Sequence, residues 1–285
     1  MLSLNTNAAA LSTQSALANS QKALTTSMTR LGTGYRVNSA MDDAAGLQIA
    51  TRLNAQTRGM AVAQRNTQNG ISMMQTAEGA FSEATDILQR MKDLATEASN
   101  GTSSTDDKTA MQSEYDALGQ ELGNIMSNTT FAGAKLLKGG TLATAAVKFQ
   151  IGASASETMS VDVSTALGTT LEASLTAASS NYTAAGTGTE LTATANATIT
   201  KLDTALKDVG TVRSALGAAS NRLDHVYNNL ANMSTNTTAA KGRIMDVDYA
   251  TETSNMTAKQ MLLQAGTSML KQSGSMSQMV LSLMQ

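Results

Sequence analysis

The chain has 285 residues and 41% hydrophobic content, enough to fill a core, but with 3% aromatics, no Trp and 18 Met its packing rests on small and flexible side chains. A formal charge of −2, without a basic run or aromatic platforms among the basic residues, disfavours nucleic-acid binding. Zero Cys excludes disulfides and thiolate metal sites, and zero Pro leaves long helices unbroken. Nowhere do 18 apolar residues run together, and the stretch before Lys22 has neither a basic residue nor a compact apolar run, so neither a membrane span nor a secretory signal peptide is expected.

Residues 4–31 predict a first helix. Leu4 and Leu11 are seven apart, as are Leu17, Leu24 and Leu31, which gives one narrow apolar seam. The helix is expected to stop at LGTGY, where Gly32 and Gly34 can turn left-handed. In NSAMDDAAGL, Ser39 and Asp42 have the spacing of a capping box, and Asp43 adds favourable charge at a second helix start.

That second helix, about 44–99, carries three columns at seven-residue spacing: Met74, Phe81, Leu88, Ala95; Ala77, Ala84, Met91, Ala98; and Met73, Ala80, Ile87, Leu94. So wide a face predicts more than one neighbour. After NGTSST, Asp106 and Asp107 open a third helix with Met111, Tyr115, Leu118, Leu122 and Ile125, read as an antiparallel return. VKFQI and MSVDV alternate around GASASE and predict a β-hairpin over 147–163 with one apolar face. From 165 to 198 Thr, Ala, Ser and Gly dominate, which reads as an exposed, loosely specified surface element.

Another long heptad follows, with Leu202, Val209, Leu216, Leu223, Leu230 in one column and Ala205, Val212, Ala219, Val226, Met233 in the other. Beyond KGRIMDVDYATE a last helix places Leu262, Met269, Met276 and Leu283 in one column, with Leu263, Leu270 and Met284 beside it and Val280 in its final stripe. The expected fold is mainly α: a long-helix bundle or coiled coil with a small β-hairpin and paired N- and C-terminal helices. Two narrow helices paired alone still expose apolar surface, so the ends predict self-assembly through Leu4, Leu11, Leu17, Leu24, Leu31, Leu262, Leu263, Met269, Leu270, Met276, Val280 and Leu283.

Nothing supports catalysis. His225 is the only histidine and falls at an outward heptad position, so neither a zinc site nor a Ser-His or Cys-His pair can be written. Asp42 and Asp43 are adjacent and diverge by about 100° on a helix, so they do not face one site. No glycine motif of a nucleotide site follows a strand. No enzyme activity and no cofactor are expected.

The blocks LGTGYRVNSAMDDAAGLQIATRL, QRNTQNGISMMQTAEGAFSEATDILQRMKDLATEASNGT and DVDYATETSNMTAKQMLLQAGTSMLKQSGSMSQMVLSLMQ closely resemble the bacterial flagellin family, over about 1–164 and 199–285. The resemblance implies a D0 helix over 1–43, D1 helices and hairpin over 44–164, a short variable surface segment over 165–198, a D1 helix over 199–245 and a D0 helix over 246–285. It further implies a helical homopolymer in the extracellular flagellar filament, exported without a Sec signal peptide by the flagellar type III apparatus. The implied partners are an export chaperone, a filament cap protein, the hook-filament junction protein and a Toll-like innate receptor that reads Arg90, Leu94 and Glu114.

The chain departs from the family pattern at Ser277, where a proline is common, and at Gln285, where Arg is frequent. The middle is short, with neither space nor HExxH for a metallopeptidase insert. Two other readings compete. A hook-filament junction protein shares such ends, and a soluble signalling coiled coil predicts a continuous hairpin without the strands of 147–163.

Overall fold

The structure, a computed structural model, describes residues 7–283, with side chains described for 7–275. Leu4, and the side chains of Met276, Val280, Leu283 and Met284, lie outside the described residues. The elements run α1 (Ala8–Thr33), α2 (Ala44–Ala98), α3 (Thr105–Asn128), β1 (Thr130–Phe131), β2 (Ala134–Lys135), α4 (Thr141–Thr144), β3 (Val147–Gln150), β4 (Thr158–Val161), a π-helical turn Ala166–Leu171, α5 (Glu172–Ala178), a 3-10 turn Ser180–Tyr182, α6 (Glu190–Ala193), α7 (Ala195–Met245) and α8 (Tyr249–Leu283). The mainly α fold with small β-hairpins and paired terminal helices is the one the sequence predicts.

Local chemistry sets the helix ends. Asn7 caps α1 by accepting the Ala10 amide at 3.1 Å, and the helix closes where Gly34 takes φ +75° and its amide bonds the Arg30 carbonyl at 2.9 Å. Gly32, also expected to turn left-handed, stays inside the helix. The capping expectation at α2 is corrected as well. Asp42 Oδ2 accepts from the Asn38 and Ser39 amides and the Ser39 hydroxyl, which closes a turn ahead of the helix, whereas Asp43 Oδ1 takes the Gly46 amide at 2.8 Å and is the cap. Asp42 is one residue too early to reach an orphan amide of the first helical turn. At α3 it is Ser104 and Asp107 that form the reciprocal capping box, with Asp106 adding first-turn charge.

The chain divides into two compact units, residues 1–57 with 235–285, and residues 58–234. The second is a helix bundle. Within it the columns Met74, Phe81, Leu88, Ala95 and Ala77, Ala84, Met91, Ala98 of α2 are buried throughout, while Ala80 and Ile87 of the third column are half-buried at its edge. On α7 the column Leu202, Val209, Leu216, Leu223, Leu230 is buried, but its companion is half-buried at Val226, which packs beside Leu230, Met60 and Ala63, and exposed at Met233. A straight helix drifts about 20° per heptad, which carries the second column outward.

The predicted hairpin forms from β3 and β4, antiparallel, with Val147 opposite Val161 and Phe149 opposite Met159. A second hairpin, β1 with β2, escaped notice because two-residue strands show no alternation. Its loop residues Ala132 and Gly133 both have positive φ, 50° and 83°, the backbone of a tight primed turn.

The main correction concerns 165–198, expected to be exposed and loosely specified. Leu167, Leu171, Leu175, Ala178, Tyr182, Leu191 and Ala195 are all buried in the bundle core. Sparse large residues concealed the pattern, because Leu167, Leu171 and Leu175 recur at four-residue spacing and each inserts between Thr, Ala and Ser that stay outside.

Candidate assembly surfaces

The first unit owes its form to α1 and α8. Each turns two seven-residue columns inward. On α1 one column is Ala10, Leu17, Leu24, Leu31 and the other is Thr13, Ser20, Ser27; on α8 they are Met256, Leu263, Leu270 and Glu252, Lys259, Gly266, Ser273. One apolar column and one polar or small column per helix make a narrow seam, and polar pairs fix its register. At one end Asn7 Nδ2 donates to the Ser273 carbonyl at 3.2 Å and its hydroxyl oxygen at 3.1 Å; at the other Arg30 faces Glu252 at 3.7 Å. Between them the Leu17 side chain approaches Gly266 so closely that an added Cβ would sit 3.1 Å away.

The structure therefore separates the candidate assembly residues. Leu17, Leu24, Leu31, Leu263 and Leu270 are half-buried between α1 and α8. Leu11, Leu262 and Met269 face solvent instead, at 58%, 53% and 67% exposure, and Met28 and Met261 join them. The phase of the sequence explains the split. Leu11 is six residues before Leu17, so a helix with Leu17 inward turns Ala10 inward and Leu11 out; likewise Leu263 inward forces Leu262 out.

Below the pair the two connections are tied by backbone. The Arg36 amide donates to the Met245 carbonyl at 2.6 Å, the Val247 amide donates to the Gly34 carbonyl at 3.0 Å, and Val37 and Val247 are buried there. Asp248 starts α8 by accepting the Ala250 amide at 3.0 Å and the Thr251 hydroxyl at 2.8 Å; the Thr251 side chain and amide and the Ala250 amide hold its carboxyl below the usual carboxylate range.

In the second unit Arg90 Nε and Nη2 both donate to Glu114 Oε1, at 2.8 and 2.7 Å, with both side chains about half exposed. Leu94 does not share that surface. It is 2% exposed, because it belongs to the third core column of α2.

Sequence reasoning missed a polar stripe on α3. Gln112, Asp116, Gly119 and Gly123 are buried at i, i+4, i+7 and i+11 and receive the middle segment. Gln112 Nε2 donates to Asp116 Oδ1 at 2.7 Å and Glu190 Oε2 at 2.9 Å, while its oxygen accepts the Leu191 amide at 2.7 Å. Asp116 Oδ2 takes the Gly188 amide at 3.0 Å, and Glu190 Oε1 the Ser180 amide at 2.8 Å. An added Cβ at Gly123 would lie 2.6 Å from the Tyr182 carbonyl oxygen. The four-residue spacing of polar and small residues beside an apolar stripe was the available signal.

Tyr115 donates its hydroxyl to the Ala178 carbonyl at 2.7 Å, and burial, with Glu190 and Asp116 nearby, raises its phenol well above the ordinary range. Burial also disfavours the charge on Glu190, but hydrogen bonds from the Ser180 amide and side chain and from Gln112 outweigh it and leave its carboxyl below the usual value. Among the described residues no group of three acidic or imidazole side chains is arranged to hold a metal, and no helix is long and apolar enough to cross a membrane.

A bundle with a narrow, half-polar pair of terminal helices and apolar side chains left over on both defines a structural protein that completes itself by assembly. Two family models cover most of it: the bacterial flagellin N-terminal helical region matches residues 4–141, and the bacterial flagellin C-terminal helical region matches 199–284. Flagellin A of Vibrio anguillarum is 36% identical over 380 aligned positions that cover all of both chains, and polar flagellin C of Vibrio parahaemolyticus is 35% identical over 385, again covering both completely. The chain belongs to the bacterial flagellin family, whose members are structural and non-enzymatic and self-assemble into the extracellular flagellar filament. Because 380 positions exceed the 285 residues present, the relative carries residues that this chain lacks. A solved structure described as a putative flagellar hook-associated protein from Vibrio parahaemolyticus aligns with TM-score 0.56 over 72% of this chain and 100% of that one, at 15% identity, which shows a common fold alone.

Proposed function

We propose that this filament subunit polymerises through its terminal helices, with neighbouring copies covering what α1 and α8 leave exposed. The observation that carries this reading is the outward set Leu11, Leu262 and Met269 on a pair whose own seam is already closed. Burying one such side chain fully is worth about 1.5 to 3 kcal/mol, so a few per contact, repeated along a helix of subunits, stabilise a polymer. Leu17, Leu24, Leu31, Leu263 and Leu270 act earlier, by holding the pair in register, and Leu4, Met276, Val280 and Leu283 remain assembly candidates on sequence spacing alone.

The division into terminal helices (1–43 and 246–285), wall-forming helices (44–164 and 199–245) and a middle segment (165–198) whose leucines pack into the bundle is part of this proposal. So are the partners. An export chaperone covers the C-terminal region before passage through the type III apparatus without a Sec signal, a cap protein receives the subunit at the tip, and the junction protein joins the first subunit to the hook. The exposed Arg90 and Glu114 pair is a candidate contact for a Toll-like receptor, with Leu94 supporting it from beneath.

The test is polymerisation on short filament seeds with a precipitating salt, followed by negative-stain electron microscopy. Full-length protein is expected to give long uniform tubes, and protein lacking 246–285 to remain monomeric with a folded bundle. Long filaments from the truncated chain overturn the terminal-helix account. For the receptor contact, a reporter-cell assay in which Arg90→Ala signals like the unsubstituted protein removes that assignment.

A further inference from the structure

We propose that the turn bearing Met41 is a knob received by a second copy of this chain, in the cleft formed by Tyr35, Leu47, Ala50, Lys241 and Met245. The proposal rests on the filament reading and adds to it a pair of contact surfaces outside the terminal helices.

Met41 is 95% exposed, more than any other large apolar side chain described. Its turn is nonetheless pinned. Asp42 Oδ2 accepts three hydrogen bonds, from the Asn38 amide at 3.1 Å, the Ser39 amide at 2.9 Å and the Ser39 hydroxyl at 3.1 Å, and Asp43 caps the helix that follows. Because the turn is already fixed, covering Met41 orders its side chain without also having to order the backbone.

The same unit holds a cleft of about 190 Å³ lined by Tyr35, Leu47, Ala50, Lys241 and Met245, with Thr51 and Asn54 at its side. The chain's own Met41 does not occupy it, since its side chain stands in solvent. Methionine suits such a site: it is unbranched, adapts to an irregular cleft, and its sulfur pairs favourably with an aromatic edge such as that of Tyr35.

Charge favours a second copy as the occupant. The knob is flanked by two carboxylates, Asp42 and Asp43, while the charged side chain lining the cleft is Lys241, which donates to Asn54 Oδ1 at 3.4 Å. A knob and a receptor on one chain that are not joined to each other make a heterologous contact, and such contacts repeat into open helical arrays.

The experiment uses full-length protein and reads the critical concentration for growth on seeds. Losing the knob or filling the cleft is expected to raise it about tenfold, the equivalent of one well-buried side chain, for Met41→Ala and for Ala50→Leu alike. The double variant is expected within about twofold of either single one, because both remove the same contact. Monomer melting of Met41→Ala should match the unsubstituted chain.

Since the chain has no cysteine, a second readout is clean. Met41→Cys subunits copolymerised with Thr51→Cys subunits should give a disulfide dimer on mild oxidation, seen neither with one variant alone nor with mixed monomers. A critical concentration for Met41→Ala within twofold of the unsubstituted value, or filaments from the mixture without that dimer, overturns the proposal. Failure of the unsubstituted chain to grow on competent seeds overturns the filament reading instead.

Discussion

The bundle and the terminal pair are both written in seven-residue columns, but they spend them differently. In the bundle, two full columns of α2 and one of α7 are buried apolar side chains, and even the polar stripe of α3 is satisfied by the middle segment. In the pair, one of each two inward columns is Thr, Ser, Lys, Glu or Gly, and apolar residues remain outside. The bundle covers its apolar columns within the chain, whereas the pair leaves apolar side chains in solvent. The lesson is that periodicity shows where helices touch, whereas the chemistry of the columns shows whether that contact suffices.

The largest effect that sharpens this contrast is expected from Phe81→Ala, which empties a fully buried site in the bundle. It should cost about 3 to 5 kcal/mol in denaturant unfolding of the monomer. Gly123→Ala comes next, since its methyl collides with the Tyr182 backbone. A loss of about 1 to 3 kcal/mol is expected, with hydrogen exchange rising first in 179–191. Tyr115→Phe, which leaves the Ala178 carbonyl unpaired inside, should cost about 1 to 2 kcal/mol in the same assay.

Acid loosens the same segment. The folded-state carboxyl of Glu190 lies below its value of 4.5, so its contribution is complete above that pH and is lost as pH falls through the lower folded value. Exchange protection of the Ser180 and Leu191 amides is expected to fall as the pH drops below 4.5 and through the lowered value of Glu190, and Glu190→Gln should flatten that dependence.

The smallest monomer effect belongs to the pair. Leu262→Ser or Met269→Ser, at exposed positions, should change monomer stability by less than about 0.5 kcal/mol while raising the critical concentration for growth. A monomer loss as large as that of Tyr115→Phe would place those side chains in the folded core and erase the distinction between the two regions.

Much of this was legible in the chain itself. The length of α2, its two buried columns, one column of α7, the β3 and β4 hairpin and the pairing of the ends all follow from spacing. The assembly residues were legible as a set but not as two groups, since Leu262 and Leu263 are equally apolar in sequence and only the partner helix decides which one turns inward. The segment 165–198 was misread because three leucines among Thr and Ser look sparse, although all three are buried in the bundle core.

Sequence by itself determined the local choices: helix ends from Asn7, Asp43, Ser104 and Gly34, and the absence of catalytic or thiol chemistry. These depend on a few neighbouring residues, whose preferences act before any core exists. Tertiary structure alone decided that Gln112 and Asp116 are buried, and that Met41 stands clear of a cleft it does not fill. Exposure is a property of what packs against a residue, and the neighbours concerned come from chain segments far apart in sequence.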